Sequence, residues 1–324
     1  MFVPRSCDRA AGIAVGFLAD LLLGDPRRGH PVAGFGTGAA RLEKLTYADH
    51  RGAGVLHTGL LLGGLGLLGF AVGGRASAAG RGNQAWVTAV ATYIALGGTS
   101  LNRVGGQMAT LLQTADLDGA RQLLPSLCGR DPAALDASGL TRATVESLAE
   151  NTSDAQVAPL FWAAIGGVPG VLVYRGANTL DAMIGNRSPR YARFGWAAAR
   201  FDDVLNYLPA RLTGVLAAVC APVVGGSPRA ALRAWHRDAA RHPSPNAGVA
   251  EASFAGALGV RLGGPTQYAH QLEIRPTLGD GRIPEVADVA RAVRLSRAVQ
   301  AGAALVAIAL SGAFRSGRRS SPRR

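Results

Sequence analysis

The sequence predicts an all-α, polytopic integral membrane protein: a helical bundle of about five to six apolar helices with polar helical loops. Three observations predict it. Hydrophobic residues make up 48% of the chain and charged residues only 17%, against about 25% charged in a soluble globular domain. The 44 glycines suit helices packed closely in lipid, where small residues let backbones approach. The stretch VLHTGLLLGGLGLLGFAVGG carries no charge over about the 20 residues that a bilayer requires.

Apolar runs fall at roughly 10–24, 55–73, 85–101, 155–174, 204–224 and 298–314. Arg5 and Arg9 before the first run mimic a signal peptide. Asp20 interrupts that run and no clean small-residue cleavage site follows, so a retained first helix is expected. The fourth run contains Pro159, Pro169 and paired glycines, which predicts a kinked or re-entrant segment. The fifth contains Arg211, which costs about 3 kcal/mol at a bilayer centre unless it is paired or lines a cavity. The polar segments 103–154 and 225–297 are expected to pack on one membrane-embedded domain, 1–314, followed by a basic disordered tail, 315–324. With six spans, segments 25–54, 102–154 and 225–297 share one side and hold nineteen Lys/Arg, against fourteen on the other. The positive-inside rule places the first set in the cytoplasm.

The net charge of +13 comes almost wholly from arginine, Lys44 being the one lysine. These charges are spread over the loops between apolar runs, with a knot at the C-terminus, which argues against a nucleic-acid face and for membrane topology and contact with lipid headgroups. Cys7, Cys128 and Cys220 lie far apart and form no disulfide framework. The six histidines lack zinc-site spacing, so no zinc is expected.

Four fragments could carry chemistry. In ESLAENTSDAQVAP, helical spacing puts Glu146, Glu150 and Asp154 on one face. Three carboxylates there suit a cation such as Mg²⁺, and the plainer reading is a solvated helix face. In YRGANTLDAMIG and RFDDVLNYLPARLTG, Asn178 and Asp181, and Asp202 or Asp203 with Asn206, share helix faces. Asp202 or Asp203 could offset Arg211, and a structural salt bridge explains these residues equally well. In RHPSPNAGVAEASFAGALGVRLGG, prolines stiffen the chain around Ser244 and Asn246, and Glu251 precedes a glycine-rich stretch with Arg261. Glycine-rich backbone with arginine can hold phosphate, although no P-loop pattern is present and a packing turn between helices is the commoner cause. LLLGDPRRGHPVAGFG, with Asp25 and His30, reads as a turn leaving the membrane.

In this order, LLLGDPRRGHPV, AENTSDAQVAPLFWAAIGGVPG, YRGANTLDAMIG, ARFDDVLNYLPARLTG and HPSPNAGVAEASFAGALGVRLGG resemble the CobD/CbiB family over about residues 10–300. AENTSDAQVAP departs from it: the family commonly reads Asp-Gly before the short apolar link to Ala-Pro, and here Ala155 and Gln156 occupy that link. The resemblance implies an adenosylcobinamide-phosphate synthase, multi-pass in the bacterial inner membrane. Such an enzyme joins a propionate of adenosylcobyric acid to aminopropanol or its O-phosphate, with ATP and Mg²⁺ expected. It also leaves room for a complex with other late cobalamin enzymes. Catalytic roles are then expected at Glu146, Glu150, Asp154, Asp202, Asp203 and His242, with Mg²⁺ on Glu150, Asp154 and Asp202 and with His242 or Glu150 as base. Substrate contacts are expected at Asn151, Arg175, Asn178, Asp181 and Asn206, and at Arg211, Ser244, Asn246, Glu251 and Arg261. The rival readings are a corrinoid transporter, which predicts an internal symmetry that the sequence lacks, and a non-catalytic scaffold or sensor of the same fold.

Overall fold

A computed structural model describes residues 5–26, 29–80, 82–186, 188–267 and 272–313. The expected basic tail at 315–324 lies outside the described residues. In chain order the helices are α1 (Arg5–Leu23), α2 (Pro31–Thr46), α3 (Arg51–Ala78), α4 (Asn83–Ala95), α5 (Gly98–Gln113) and α6 (Leu117–Leu123). They continue with α7 (Ala137–Thr152), α8 (Ala158–Ile184), α9 (Trp196–Cys220), α10 (Pro228–Asp238), α11 (Ala247–Leu258) and α12 (Val286–Ala313). A π-helical turn, Ser153–Val157, joins α7 to α8.

The protein is a helical membrane protein, as its composition predicts. Among the described residues, four stretches are long and apolar enough to cross a bilayer: Arg51–Ala78, Ala137–Ile184, Trp196–Val224 and Val286–Gly312. The apolar runs at 10–24 and 85–101 also form helices, α1 and α4. The 13 residues of α4 reach only about 20 Å, short of the ~30 Å hydrocarbon core. One feature was not expected from the sequence. Strands β1 (Leu262–Gln267) and β2 (Leu272–Leu278) pair antiparallel, so the glycine-rich stretch after α11 leads into a strand and not into a turn between helices.

The chain folds as two compact units: Met1–Gly97, Ala158–Leu205 and Ala304–Arg324 form the first, Gly98–Val157 and Asn206–Ala303 the second. In unit 1, α1 packs on α4 through two glycines one helical turn apart. A Cβ at Gly12 would come within 2.5 Å of the Ala85 carbonyl, and one at Gly16 within 2.6 Å of the Ala89 carbonyl, the close approach that small residues permit in lipid. Helix α8 breaks at Gly167, whose φ of 59° and ψ of −149° leave the helical region. Pro169 then has no N–H to offer the Ile165 carbonyl. Arg9 caps the freed carbonyls, donating from Nη1 to Ala164 at 3.0 Å and Ile165 at 3.3 Å. Kinking of this run was expected, and the arginine that completes it was not.

In unit 2, α11 is buried at all twelve positions. Asp136 caps α7 by accepting the Gly139 N–H at 2.7 Å. Ser227 caps α10, and Pro228 fills its first position, where no N–H is needed. Gly263, at φ 85°, lets β1 bulge beside β2, since a Cβ there would meet the Pro276 carbonyl at 2.0 Å. Asp238 on α10 accepts the Gly279 N–H at 2.8 Å and so ties down the end of β2.

Candidate active site

Unit 2 gathers buried charge around α7 and α11. Glu146 on α7 is 1% exposed. Its carboxylate pairs with Arg130 and accepts the Gly263 N–H at 2.6 Å. Glu150 follows one turn later and is half-buried. Glu251, the one charged residue of α11, is also 1% exposed. Its Oε1 lies 3.7 Å from His242 Nε2 and 3.7 Å from Arg275 Nη1. Neither Glu251 oxygen has a hydrogen-bond partner among the described residues.

The surroundings move the two titratable groups in opposite directions. Burial lowers the His242 pKa, and the positive charge of Arg275 lowers it further. Burial raises the Glu251 pKa well above the usual carboxylate range, with Glu146 and Glu150 adding to the rise. Both shifts favour the uncharged forms, an imidazole free to accept a proton and a carboxyl that can hold one. The ring of His242 is oriented by its own loop, with Nδ1 lying 3.1 Å from both the backbone N and O of Ser244.

Two cavities adjoin these residues. One, of about 390 Å³, is lined by Arg211, Trp235, His236 and His242. The other, of about 720 Å³, is lined by Arg142, Arg261, Gly263 and Gly264 together with Ser138 and Gly139 from the first turn of α7. Arg142 is occupied, donating to the Gly263 carbonyl at 2.6 Å and to the Pro265 carbonyl. Arg261 is exposed and makes no ion pair among the described residues. A cavity built on the strand pair therefore lies at the glycine-and-arginine stretch.

Several of the expected residues have other contacts in the structure. Arg211 was expected to need Asp202 or Asp203. Its Nη1 instead donates to Asn246 Oδ1 at 2.8 Å, and its guanidinium lies 3.6 Å from the centre of the Tyr207 ring. A polar amide and an aromatic face satisfy it without a carboxylate. Asp203 pairs with Arg200 at 3.6 Å, and Asp202 is buried in unit 1. Ser244 Oγ accepts the N–H groups of Asn246 and Ala247 at 3.3 and 3.2 Å, so it opens α11 and is not a free ligand group. Asn151 donates its amide to the Ser147 carbonyl at 2.9 Å. The face expected to carry three carboxylates keeps α-helical spacing only from Glu146 to Glu150. Asp154 falls in the π-helical turn, where each turn is wider and the register shifts. That turn contains Ala155 and Gln156.

Asn206 is buried in unit 2. Arg175, Asn178 and Asp181 belong to α8 in unit 1, where Arg175 Nη1 lies 3.4 Å from Asn178 Oδ1. Among the described residues, no three His, Cys, Asp or Glu side chains come together as a metal cage. Arg130 and Arg275, which partner Glu146 and Glu251, carried no signal in the sequence. They sit in segments without periodic spacing, and ion pairs between distant positions leave no local pattern. Asp25 and His30 were read as a turn; they lie 3.6 Å apart, and His30 Nδ1 caps α2 by accepting the Val32 N–H at 3.2 Å.

The family model described as CobD/Cbib protein matches residues 13–296. The chain belongs to the CobD/CbiB family. Its relatives include cobalamin biosynthesis protein CobD of Mycobacterium tuberculosis strain H37Rv, 64% identical over 310 residues, 96% of this chain and 98% of that protein. Cobalamin biosynthesis protein CobD of Rhodobacter capsulatus is 43% identical over 315 residues, 92% of this chain and 96% of that one. The protein of the same name from Chromobacterium violaceum is 42% identical over 287 residues, with 87% and 90% covered. No solved structure matches the chain significantly. Membership in the CobD/CbiB family gives this membrane protein a biosynthetic role in the cobalamin pathway.

Proposed function

We propose that this CobD/CbiB protein is an amide-forming synthase that joins a propionate of adenosylcobyric acid to the amine of aminopropanol or its O-phosphate. A carboxylate and an ammonium do not condense unaided at neutral pH. A propionate oxygen attacks the γ-phosphorus of ATP and ADP leaves, giving an acyl phosphate. The amine nitrogen then attacks the acyl carbon, phosphate departs, and the proton lost from nitrogen passes to a base. The product is adenosylcobinamide, or its phosphate where the amine enters phosphorylated.

The observation that carries this reading is Glu251: a carboxyl buried to 1%, with neither oxygen hydrogen-bonded among the described residues, set 3.7 Å from His242. Burying such a group without a partner costs stability, and an ammonium entering the site supplies the missing donors. Glu251 is the group that holds the amine, and His242 Nε2, when Nδ1–H is donated to the Ser244 carbonyl, is the acceptor of its proton. Arg211 in the smaller cavity suits the aminopropanol phosphate, and Arg261 in the larger one suits the nucleotide phosphates. Mg²⁺ bound with a nucleotide needs only one or two protein carboxylates. Glu150 is our candidate for one of them, so the lack of a three-ligand cage among the described residues is compatible with Mg-ATP. A cytoplasmic position for 102–154 and 225–297, the side that the loop charges favour, would put these residues where ATP is present.

Membranes containing the protein, supplied with adenosylcobyric acid, aminopropanol phosphate and Mg-ATP, are expected to form adenosylcobinamide phosphate with one ADP released per product. Absence of product, or product formed equally by Glu251→Gln, rejects the reading.

A further inference from the structure

Unit 1 contains a cavity of about 460 Å³ between α2, α3, α4 and α8, within the range of about 300–1,000 Å³ that ligand sites occupy. Its walls are apolar, with Phe35, Leu65, Ile94 and Leu172 among them, and Arg175 is its one charged residue. Arg175 lies on a stretch long enough to span a membrane. Among the described residues, its guanidinium meets only Asn178 Oδ1, at 3.4 Å. Its Nε is buried without a partner there, and none of the described carboxylates lies in ion-pair range. An arginine within a span is expected to pair or to face a ligand. Pro31 and Val32, the first turn of α2, line the same cavity and add the partial positive charge of a helix N-terminus.

The open side of this cavity is bordered by exposed apolar side chains, as a surface turned to lipid would be. Leu68, Val72, Trp86 and Val90 line it and are 53%, 36%, 67% and 38% exposed. Helix α3, which carries the first two, is the least buried of the four spans.

We propose that this cavity is a binding site for an acidic phospholipid, entered sideways from the bilayer, with an acyl chain against the apolar wall and the phosphate on Arg175. The apolar lining selects a chain, and the lone guanidinium selects a negative headgroup over a zwitterionic one.

The test is lipid retention by the full-length protein. The protein is reconstituted in nanodiscs of equal dioleoyl-phosphatidylglycerol and dioleoyl-phosphatidylcholine, released into mild detergent, and weighed by native mass spectrometry. Wild type is expected to retain phosphatidylglycerol with about fivefold preference, the scale of one arginine acting on an acidic lipid. Arg175→Gln should lose the preference and Arg175→Lys should keep part of it. Ala91→Phe, which fills the cavity, should reduce retention of both lipids. Equal retention of the two lipids by wild type, or an unchanged preference in Arg175→Gln, overturns the proposal. Displacement of phosphatidylglycerol by aminopropanol phosphate also overturns it, by giving the cavity to a substrate. Retention is read without turnover, so its outcome is separate from that of the synthase assay.

Discussion

Each unit buries a glutamate, and the two are treated differently. Glu43 in unit 1 is 8% exposed and fully engaged. Arg190 donates to it at 2.7 Å and the Tyr191 hydroxyl at 3.2 Å, while the Arg190 guanidinium also lies 4.2 Å from the centre of the Tyr47 ring. Among the described residues, Glu251 in unit 2, 1% exposed, has only ion-pair contacts at 3.7 Å. A buried carboxylate whose acceptors are filled is part of the scaffold. One whose acceptors are left open is held at a cost that a ligand can remove.

The sharpest way to break this contrast is to replace each carboxyl by its amide. Glu251→Gln keeps the shape and removes the carboxylate that would hold the amine, so synthase turnover should fall by about 10–150-fold, the worth of a hydrogen bond to a charged group. Glu43→Gln should lower the thermal midpoint and leave turnover unchanged. Equal losses of turnover in the two variants would show that both glutamates are scaffold.

Arg130→Met tests the other buried glutamate of unit 2. Removing one partner of a buried ion pair leaves the other charge uncompensated, which costs about 3–5 kcal/mol. Glu146 would then keep only the Gly263 N–H. Detergent-solubilised Arg130→Met should unfold at a markedly lower temperature, and Arg130→Met/Glu146→Leu should recover much of that loss. No recovery would mean that Glu146 does more than balance Arg130.

The contrast between the glutamates was only partly legible in the sequence. Composition and the charge-free run at 55–74 gave the helical membrane class, because burial in lipid acts on composition directly. Glu146, Glu150 and Glu251 stood out because helical spacing or an apolar setting marks a carboxylate locally. The arginines that distinguish a filled glutamate from an open one did not. Arg130 meets Glu146 across sixteen positions and Arg190 meets Glu43 across 147, and no periodicity reports such pairs. The strand pair was also hidden, since Gly263, Gly264 and Pro265 in β1 are poor strand formers. Tertiary pairing with β2 and the bulge at Gly263 override that preference.

The opposed pKa shifts sharpen the comparison through pH. The His242 pKa is lowered from the ordinary 6.5, so its neutral ring contributes stability above 6.5 that is lost as pH falls toward its folded value. Glu251 is raised from 4.5, so its contribution is full below 4.5 and is lost as pH rises through the folded value. In thermal unfolding followed against pH, Glu251→Gln should therefore gain on wild type as pH rises above 4.5. His242→Gln should remove the loss below 6.5. Parallel curves for all three proteins would refute the shifts.

The smallest expected effect concerns a residue whose pattern suggested a ligand and whose geometry is structural. Ser244 resembles a binding group in sequence, between two prolines and ahead of Glu251. Its hydroxyl oxygen accepts the N–H groups of Asn246 and Ala247, which places it with the filled acceptors of Glu43 and apart from the open ones of Glu251. Ser244→Ala should cost about 1 kcal/mol, as loss of a helix-initiating cap does. Because the backbone of residue 244 still meets His242 Nδ1, the KM for the amine should not change. Ser244→Thr, which keeps the acceptor, should restore the thermal midpoint. A raised KM with an unchanged midpoint would instead move Ser244 into the site, and the division between filled and open acceptors would no longer separate scaffold from chemistry here.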